Sequence, residues 1–392
     1  MKTKIKTTTL GKVGKVSMCK RVMKYQTSEF GDIPFYKIST FGSNADVFID
    51  KKLYNNFRKK YSYPKKGDIL ISAAGTVGKT VIYNGESAYF QDSNIVWIAN
   101  DESKILNEYL YYFYQTKPWE TTNGSTITRI YNQNLRNIKI SYPENLKEQQ
   151  KIASVLSTLD EKIELNNKIN AELEKMAKTL YDYWFVQFDF PDKNGNPYKS
   201  TGGKMVYNEK LKREIPEGWE VSKIGKILDK YNDTSKKVQS KDILSSGNFP
   251  VITQDTGSFI SGYTNEPNPI TNLPLIIFGD HSCTLRYVNF TFFRGADGTQ
   301  ILKFEPNLVF YIYLFLQSVI TQIPNYGKYE RHFKYVKDLK VVIPPKKNLI
   351  SFQSQIQSTL DKVEIIRKEN QKLAELRDWL LPMLMNGQVE VV

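Results

Sequence analysis

The chain has 392 residues, enough for two or three domains with real cores, and with 24% charged and 13% aromatic residues it is globular rather than disordered. No apolar run approaches the ~18 residues of a membrane span, the basic N-terminal stretch lacks the apolar core of a signal peptide, and Cys19 and Cys283 make no disulfide framework, so a cytoplasmic chain with no membrane association is expected. The net charge of +14 is uneven: residues 1–80 hold 17 Lys or Arg against 5 Asp or Glu, the footprint of a polyanion binder, with nucleic acid the foremost polyanion.

Residues 1–145 read as a β-rich block. Short alternating or apolar segments recur at 33–38, 68–72, 81–83, 95–98 and 137–142. One short helix is expected between Leu106 and Gln115, and Gly, Asn and Ser cluster in loops at 42–44 and 123–125. Ala73-Ala74-Gly75-Thr76-Val77-Gly78-Lys79-Thr80 is a loose phosphate-loop pattern, but strand and turn residues follow where such a loop needs a helix. The expectation is a tight turn between two strands, with Lys79 available to a DNA phosphate.

Residues 146–188 form the first long helix. Neither Pro nor Gly interrupts it, and at ~1.5 Å per residue it is about 60 Å long. Leu156, Leu159, Ile163, Asn166, Asn170, Leu173, Ala177 and Leu180 alternate at spacings of three and four, a heptad seam that is apolar except for its asparagines. Pro143 stops the preceding strand, Asn145 can cap, and Glu148 stands at the capping-box spacing.

Residues 189–215 are polar and turn-rich and read as a connector. Asn196-Pro197-Tyr198 lacks the second Pro of an amino-methyltransferase loop, and no Gly-rich cofactor loop accompanies it. Pro191-Asp192 is a poor nuclease signature. Residues 216–346, opened by Pro216-Glu217-Gly218-Trp219, are a second β-rich block with loops at 254–257, 279–282, 295–299 and 325–331. Asp280, His281 and Cys283 lack the four spaced ligands of a zinc site and the visible base of a Cys nucleophile, so they read as loop residues. Residues 347–392 are the second long helix and its tail, kinked at Pro382 and stopped at Gly387.

The plan occurs twice. Ser157-Thr158-Leu159-Asp160 returns as Ser358-Thr359-Leu360-Asp361, and Asn137-Ile138-Lys139-Ile140-Ser141-Tyr142-Pro143 parallels Asp338-Leu339-Lys340-Val341-Val342-Ile343-Pro344. A period of about 200 residues is too long for a solenoid. The fold class is therefore α+β: two β-rich domains, each followed by a long helix, related by an internal pseudo-two-fold repeat. The helices are expected to form an antiparallel coiled coil, the second contributing Leu360, Val363, Asn370, Leu373 and Leu380, with the competing or additional arrangement that each joins another protein's bundle through a further face. Asn166 and Asn170 either face Asn370 as buried amides or lie on a solvated edge.

Loops at 124–132 and 326–333 occupy equivalent places before the last strand of each block and share position but not sequence, which suits two readers of different half-sites. The loops and basic runs nominate Ser43, Asn44, Lys59, Lys60, Lys65, Lys66, Thr76, Lys79, Ser125, Thr126, Arg129 and Tyr131 as DNA contacts of the first block. Gln254, His281, Ser282, Lys328, Tyr329, Arg331 and His332 are those of the second. No catalytic or metal-binding set is assembled.

On the two Ser-Thr-Leu-Asp helices, Leu180-Tyr181-Asp182-Tyr183-Trp184-Phe185, Pro216-Glu217-Gly218-Trp219, Trp379-Leu380-Leu381-Pro382 and Asn386-Gly387, the chain resembles the specificity subunit of type I restriction–modification systems. Phe278-Gly279-Asp280-His281-Ser282 with Gly295-Ala296-Asp297-Gly298 is similar to one variety of its recognition domain, while the first block lacks a Pro-x-Gly-Trp opening. The resemblance implies a subunit without catalysis or cofactor of its own, whose two domains each read half of a split double-stranded DNA target. It also implies helices that fix the unread spacer and dock two methyltransferase subunits carrying S-adenosylmethionine. Where the system has one, an ATP- and Mg-dependent restriction motor subunit joins. The alternatives are the specificity subunit of another multi-subunit restriction system, or a single-chain DNA methyltransferase or nuclease.

Overall fold

The computed structural model describes residues 4–119, 129–231, 234–257, 259–296, 298–320 and 332–391. The chain divides into two compact units, residues 1–167 with 367–392 and residues 168–366, so both boundaries fall inside the long helices.

In the first unit, strand Ile5–Thr9 pairs antiparallel with Lys139–Pro143, so the block closes on itself before the long helix begins. The central sheet runs Gly14–Met18, Ile95–Asn100, Ile69–Ser72, Thr80–Ile82, all antiparallel. Ile69–Ser72 is buried along its whole length, as a strand covered on both faces must be. A smaller sheet places Ile33–Tyr36 between Phe48–Ile49 and the parallel strand Tyr89–Phe90. Helix Asn107–Gln115 buries Tyr109, Leu110, Tyr112, Phe113 and Tyr114 against the core.

The second unit repeats this frame. Glu220–Lys223 pairs with Lys340–Ile343, Leu275–Gly279 lies between Leu285–Val288 and Thr299–Leu302, and Phe249–Ile252 pairs parallel with Phe293–Arg294. Helix Pro306–Val319 takes the place of the tyrosine-rich helix. Residues 189–215, expected as a connector, are folded instead. Phe190 stacks on Tyr198 and Trp219 at 4.6 and 4.9 Å, and Met205–Asn208 forms a hairpin with Arg213–Pro216. The polar turn residues lie at the surface, while the few aromatics between them supply the anchor.

The long helices are Leu146–Tyr181, followed by a π-turn at Asp182–Val186, and Lys346–Met385, which continues past Pro382 and stops as Gly387 takes φ +66°. Asn145 caps the first through Oδ1, which accepts the Lys147 N–H at 2.9 Å. Their pairing is antiparallel. In the first unit Asp160 meets Arg377 at 2.7 Å and Asn166 meets Asn370 at 2.8 Å, so one number rises as the other falls. In the second unit Trp184 and Phe185 pack on Phe352 at 5.8 and 4.9 Å.

The seam is buried or half-buried throughout. Leu156, Asn166, Asn170, Leu360 and Val363 are buried, while Leu159, Ile163, Leu173, Leu180, Asn370, Leu373 and Leu380 are half-buried. Asn166 is 1% exposed, which decides against the solvated edge. Its Nδ2 donates to Glu369 and Asn370, both at 2.8 Å, and Asn370 in turn donates to Asn167 at 2.9 Å. Amides that bond only in one alignment fix register. Asn166→Ala is expected to cost about 1–2 kcal/mol, because Glu369 and Asn370 lose a buried donor. Urea unfolding measures the loss, and an unchanged midpoint would mean water replaces the amide.

Candidate nucleic-acid interface

In the first unit, three segments converge around the end of Ile69–Ser72. The Ser72 Oγ accepts the Lys79 N–H at 2.8 Å and donates to the Thr76 carbonyl, closing the turn 73–79 as the antiparallel neighbours require. Gly78 at φ +83° is obligatory here, since a Cβ would lie 2.2 Å from Trp119 Nε1. Loop 37–44 lies against this turn: Lys79 Nζ donates to the Phe41 carbonyl at 2.6 Å. That corrects the expectation of a Lys79 simply available to phosphate. The residue is exposed as a whole, but its ammonium tethers the loop that carries Ser43 and Asn44. Arg129 bridges Ala74, its guanidinium donates to the Ser93 carbonyl at 3.1 Å, and it lies 6.0 Å from the centre of the exposed Tyr131 ring. Ser43, Asn44, Thr76, Lys79, Arg129 and Tyr131 thus sit on segments linked by direct contacts.

Lys59 and Lys60 occupy the last turn of helix Lys51–Lys60, an element not anticipated from the sequence. Asp50 caps it, accepting the Lys52 and Leu53 N–H groups at 2.7 and 3.2 Å. Arg58 in the same turn lies over the rings of Tyr54 and Tyr63. Lys65 and Lys66 follow, and all four nominated lysines are exposed.

In the second unit the same frame returns with other groups. The Ile130 N–H donates to the Ala73 carbonyl at 2.8 Å in the first unit, and the His332 N–H donates to the Asp280 carbonyl at 3.0 Å in the second. The described ends of the two loops, 129–132 and 332–333, are thus each held by a backbone hydrogen bond just past an inner strand. Gln254 Oε1 accepts the His281 N–H at 3.1 Å, and the Ser282 and Thr284 hydroxyls are 2.9 Å apart. Thr284 Oγ1 also donates to the Gln254 carbonyl at 3.2 Å, so Thr284 completes a cluster in which sequence reasoning had only Gln254, His281 and Ser282. Gly298 at φ +61° lets Gln254 approach, because a Cβ there would meet its Nε2 at 2.6 Å.

His332 corrects a nomination. It is 1% exposed, its Nδ1 lies 2.9 Å from the Asp280 carbonyl, and it cannot touch DNA in this conformation. Asp280 is buried too and accepts the Phe333 N–H at 2.8 Å. The pair holds the start of helix Phe333–Asp338 against the end of strand Leu275–Gly279. Ser125, Thr126, Lys328, Tyr329 and Arg331 lie outside the described residues.

Cys283 packs at the edge of the core, half-exposed, and burial together with the Asp280 charge raises its pKa. Burial pushes the Cys19 thiol up to about 12. Neither environment activates a thiolate. With iodoacetamide at pH 8, mass spectrometry should find Cys283 modified slowly in the folded chain and Cys19 only after unfolding. Prompt labelling of Cys19 would contradict its burial.

Known proteins share this repeated plan. The family model described as type I restriction modification DNA specificity domain matches twice, over residues 2–175 and 216–378. The chain belongs to this family. A putative type I restriction enzyme specificity subunit of Haemophilus influenzae is 53% identical over 178 residues, 45% of each chain, so that alignment spans about half of either protein. The type I restriction enzyme MjaIX specificity subunit of Methanocaldococcus jannaschii is 28% identical over 92% of this chain and 88% of its own. Among solved structures, the S subunit of a type I restriction–modification system from M. genitalium superposes with a TM-score of 0.54 over 97% of this chain and 96% of its own, at 18% identity, a likeness of fold. A type I specificity subunit recognises a DNA target and takes part in assembling the restriction–modification complex. No described helix is long and apolar enough to cross a membrane.

Proposed function

We propose that each unit reads one half of a bipartite duplex target and that the chain performs no chemistry itself. The observation that carries this is the repeated frame with unlike polar groups at its tip: Thr76, Arg129 and Tyr131 in one unit, Gln254, His281, Ser282 and Thr284 in the other. A shared scaffold with different donors and acceptors is what two different base sequences require. Catalysis would fall to partners. Two methyltransferase subunits would supply S-adenosylmethionine, and a restriction motor subunit would supply ATP and Mg. Exposed apolar residues on the long helices support docking: Leu165, Leu376 and Trp379 in the first unit, Ile169, Met176 and Ile365 in the second.

The reading is tested in two parts. The purified chain, incubated alone with labelled S-adenosylmethionine and DNA, should transfer no methyl group. Transfer would return the single-chain methyltransferase to favour. In the assembled complex, Arg129→Ala should weaken or relax recognition of one half-site only, by about 1–3 kcal/mol if the guanidinium reads a base. Binding to duplexes mutated in either half-site measures it. Equal loss on every sequence would make Arg129 a phosphate contact.

A further inference from the structure

Between the recognition tip and the basic helix of the first unit lies the segment 20–30, which holds none of the nominated DNA contacts. Tyr25 and Phe30 are each 83% exposed, the highest values among the large apolar side chains of the described residues, and Met23 beside them is 49% exposed. The backbone around them is hydrogen-bonded. Lys24–Gln26 forms a 3-10 turn, with the Met23 N–H donating to Gln26 Oε1 at 2.9 Å, and Thr27–Ser28 is the outer strand of the smaller sheet. Tyr25 is thus presented by the turn and Phe30 by the bend after the strand, where its N–H donates to Ser28 Oγ at 3.3 Å, and the fold gains nothing from leaving the two rings in water.

Contacts at its base locate this segment. Arg21 pairs with Asp92 at 2.8 Å, and the adjacent Ser93 accepts the guanidinium of Arg129. Lys20 Nζ lies 5.2 Å from the centre of the Tyr61 ring, directly after Lys59 and Lys60. The segment therefore starts between the two groups of nominated DNA contacts. Lys20 and Lys24 are exposed along it. Tyr25 follows the exposed Lys24, whereas Phe30 stands between the exposed Glu29 and Asp32, so the cations lie at the start of the segment. An exposed ring beside cations matches a polyanion with flat apolar faces, and on duplex DNA those faces open where a base step is partly unstacked.

We infer that residues 20–30 are an additional DNA-contacting arm, in which Tyr25 and Phe30 wedge against an unstacked base step while Lys20 and Lys24 meet phosphates. This rests on the proposed reading of duplex DNA by the first unit. The assembled complex with its methyltransferase subunits is titrated against target duplexes carrying 2-aminopurine at successive positions in and beside one half-site. Wild type should give a fluorescence rise at one step. Tyr25→Ala and Phe30→Ala should each abolish it and lower affinity about tenfold, with an unchanged slope of log K against log salt, since no cation is removed. Tyr25→Phe should behave as wild type. Lys24→Gln should flatten the slope by roughly 0.9. The inference is overturned if the alanine variants bind as wild type, or if they lose affinity while wild type shows no fluorescence rise anywhere. A wild-type complex that binds no duplex specifically would overturn the underlying reading instead. Both rings are solvent-exposed, so thermal melts should be unchanged in the alanine variants, and a melt shifted along with affinity would count against the arm.

Discussion

Phe352→Ala is expected to destabilise the second unit by about 3–5 kcal/mol, the range for truncating a buried aromatic. Phe352 is 1% exposed and stands edge-on to Phe185 at 4.9 Å and tilted against Trp184 at 5.8 Å. Those two partners come from the π-turn that ends the first long helix, whereas Phe352 lies near the start of the second. One ring thus joins both helical segments of this unit to the core that contains Tyr311 and Trp219. Aromatic pairs of this geometry add about 0.5–1.5 kcal/mol beyond area burial. Phe352→Leu keeps most of the volume and should cost much less. Urea unfolding followed by tryptophan fluorescence would report the change, because Trp184 and Trp219 are both in this cluster. A loss under 1 kcal/mol would mean that the site collapses around the cavity and the ring is not the anchor.

The heptad seam was the most legible part of the chain. Its positions 156, 166, 170, 360 and 363 are all buried, since a three-four spacing has one physical solution, a partner along that stripe. Helix Pro306–Val319 was missed because it is apolar nearly all round: Leu308, Val309, Phe310, Tyr311, Ile312, Leu314 and Leu316 are buried, so no period distinguishes it from a strand. Pro306 in its first turn was the available signal. Helix Lys51–Lys60 was hidden by its lysines, although Asp50 marks its start and Leu53, Tyr54 and Phe57 share a face.

The candidate site was legible as loops but not as groups within loops. His332 and His281 are both histidines in Gly-flanked polar stretches, yet one is buried under Asp280 and the other is exposed. Only the hydrogen bonds that hold residue 332 against the Asp280 carbonyl separate them, and that contact spans 52 residues of sequence. Lys79 shows the same limit. Its tether to the Phe41 carbonyl depends on a loop 38 residues away.

Lys59, Lys60, Lys65 and Lys66, all exposed, carry the largest expected change in DNA binding. Replacing Lys59, Lys60, Lys65 and Lys66 with Gln together should flatten the slope of log K against log salt by about 3 to 4, at roughly 0.9 for each phosphate released. Between 50 and 200 mM salt that amounts to about a 100-fold smaller loss of affinity for the variant than for wild type. Arg58 is excluded because it lies over Tyr54 and Tyr63, and its removal would disturb packing. A competing account has Lys59 and Lys60 serving the fold, since they close the C-terminal turn of Lys51–Lys60, where cations favour the helix dipole by about 0.3–1 kcal/mol. The two accounts separate cleanly. A dipole role predicts a lower melting temperature with an unchanged salt slope, whereas a phosphate role predicts an unchanged melt with a flattened slope. Half the flattening would divide the set, and the paired variants Lys59→Gln with Lys60→Gln, and Lys65→Gln with Lys66→Gln, would say which pair faces DNA.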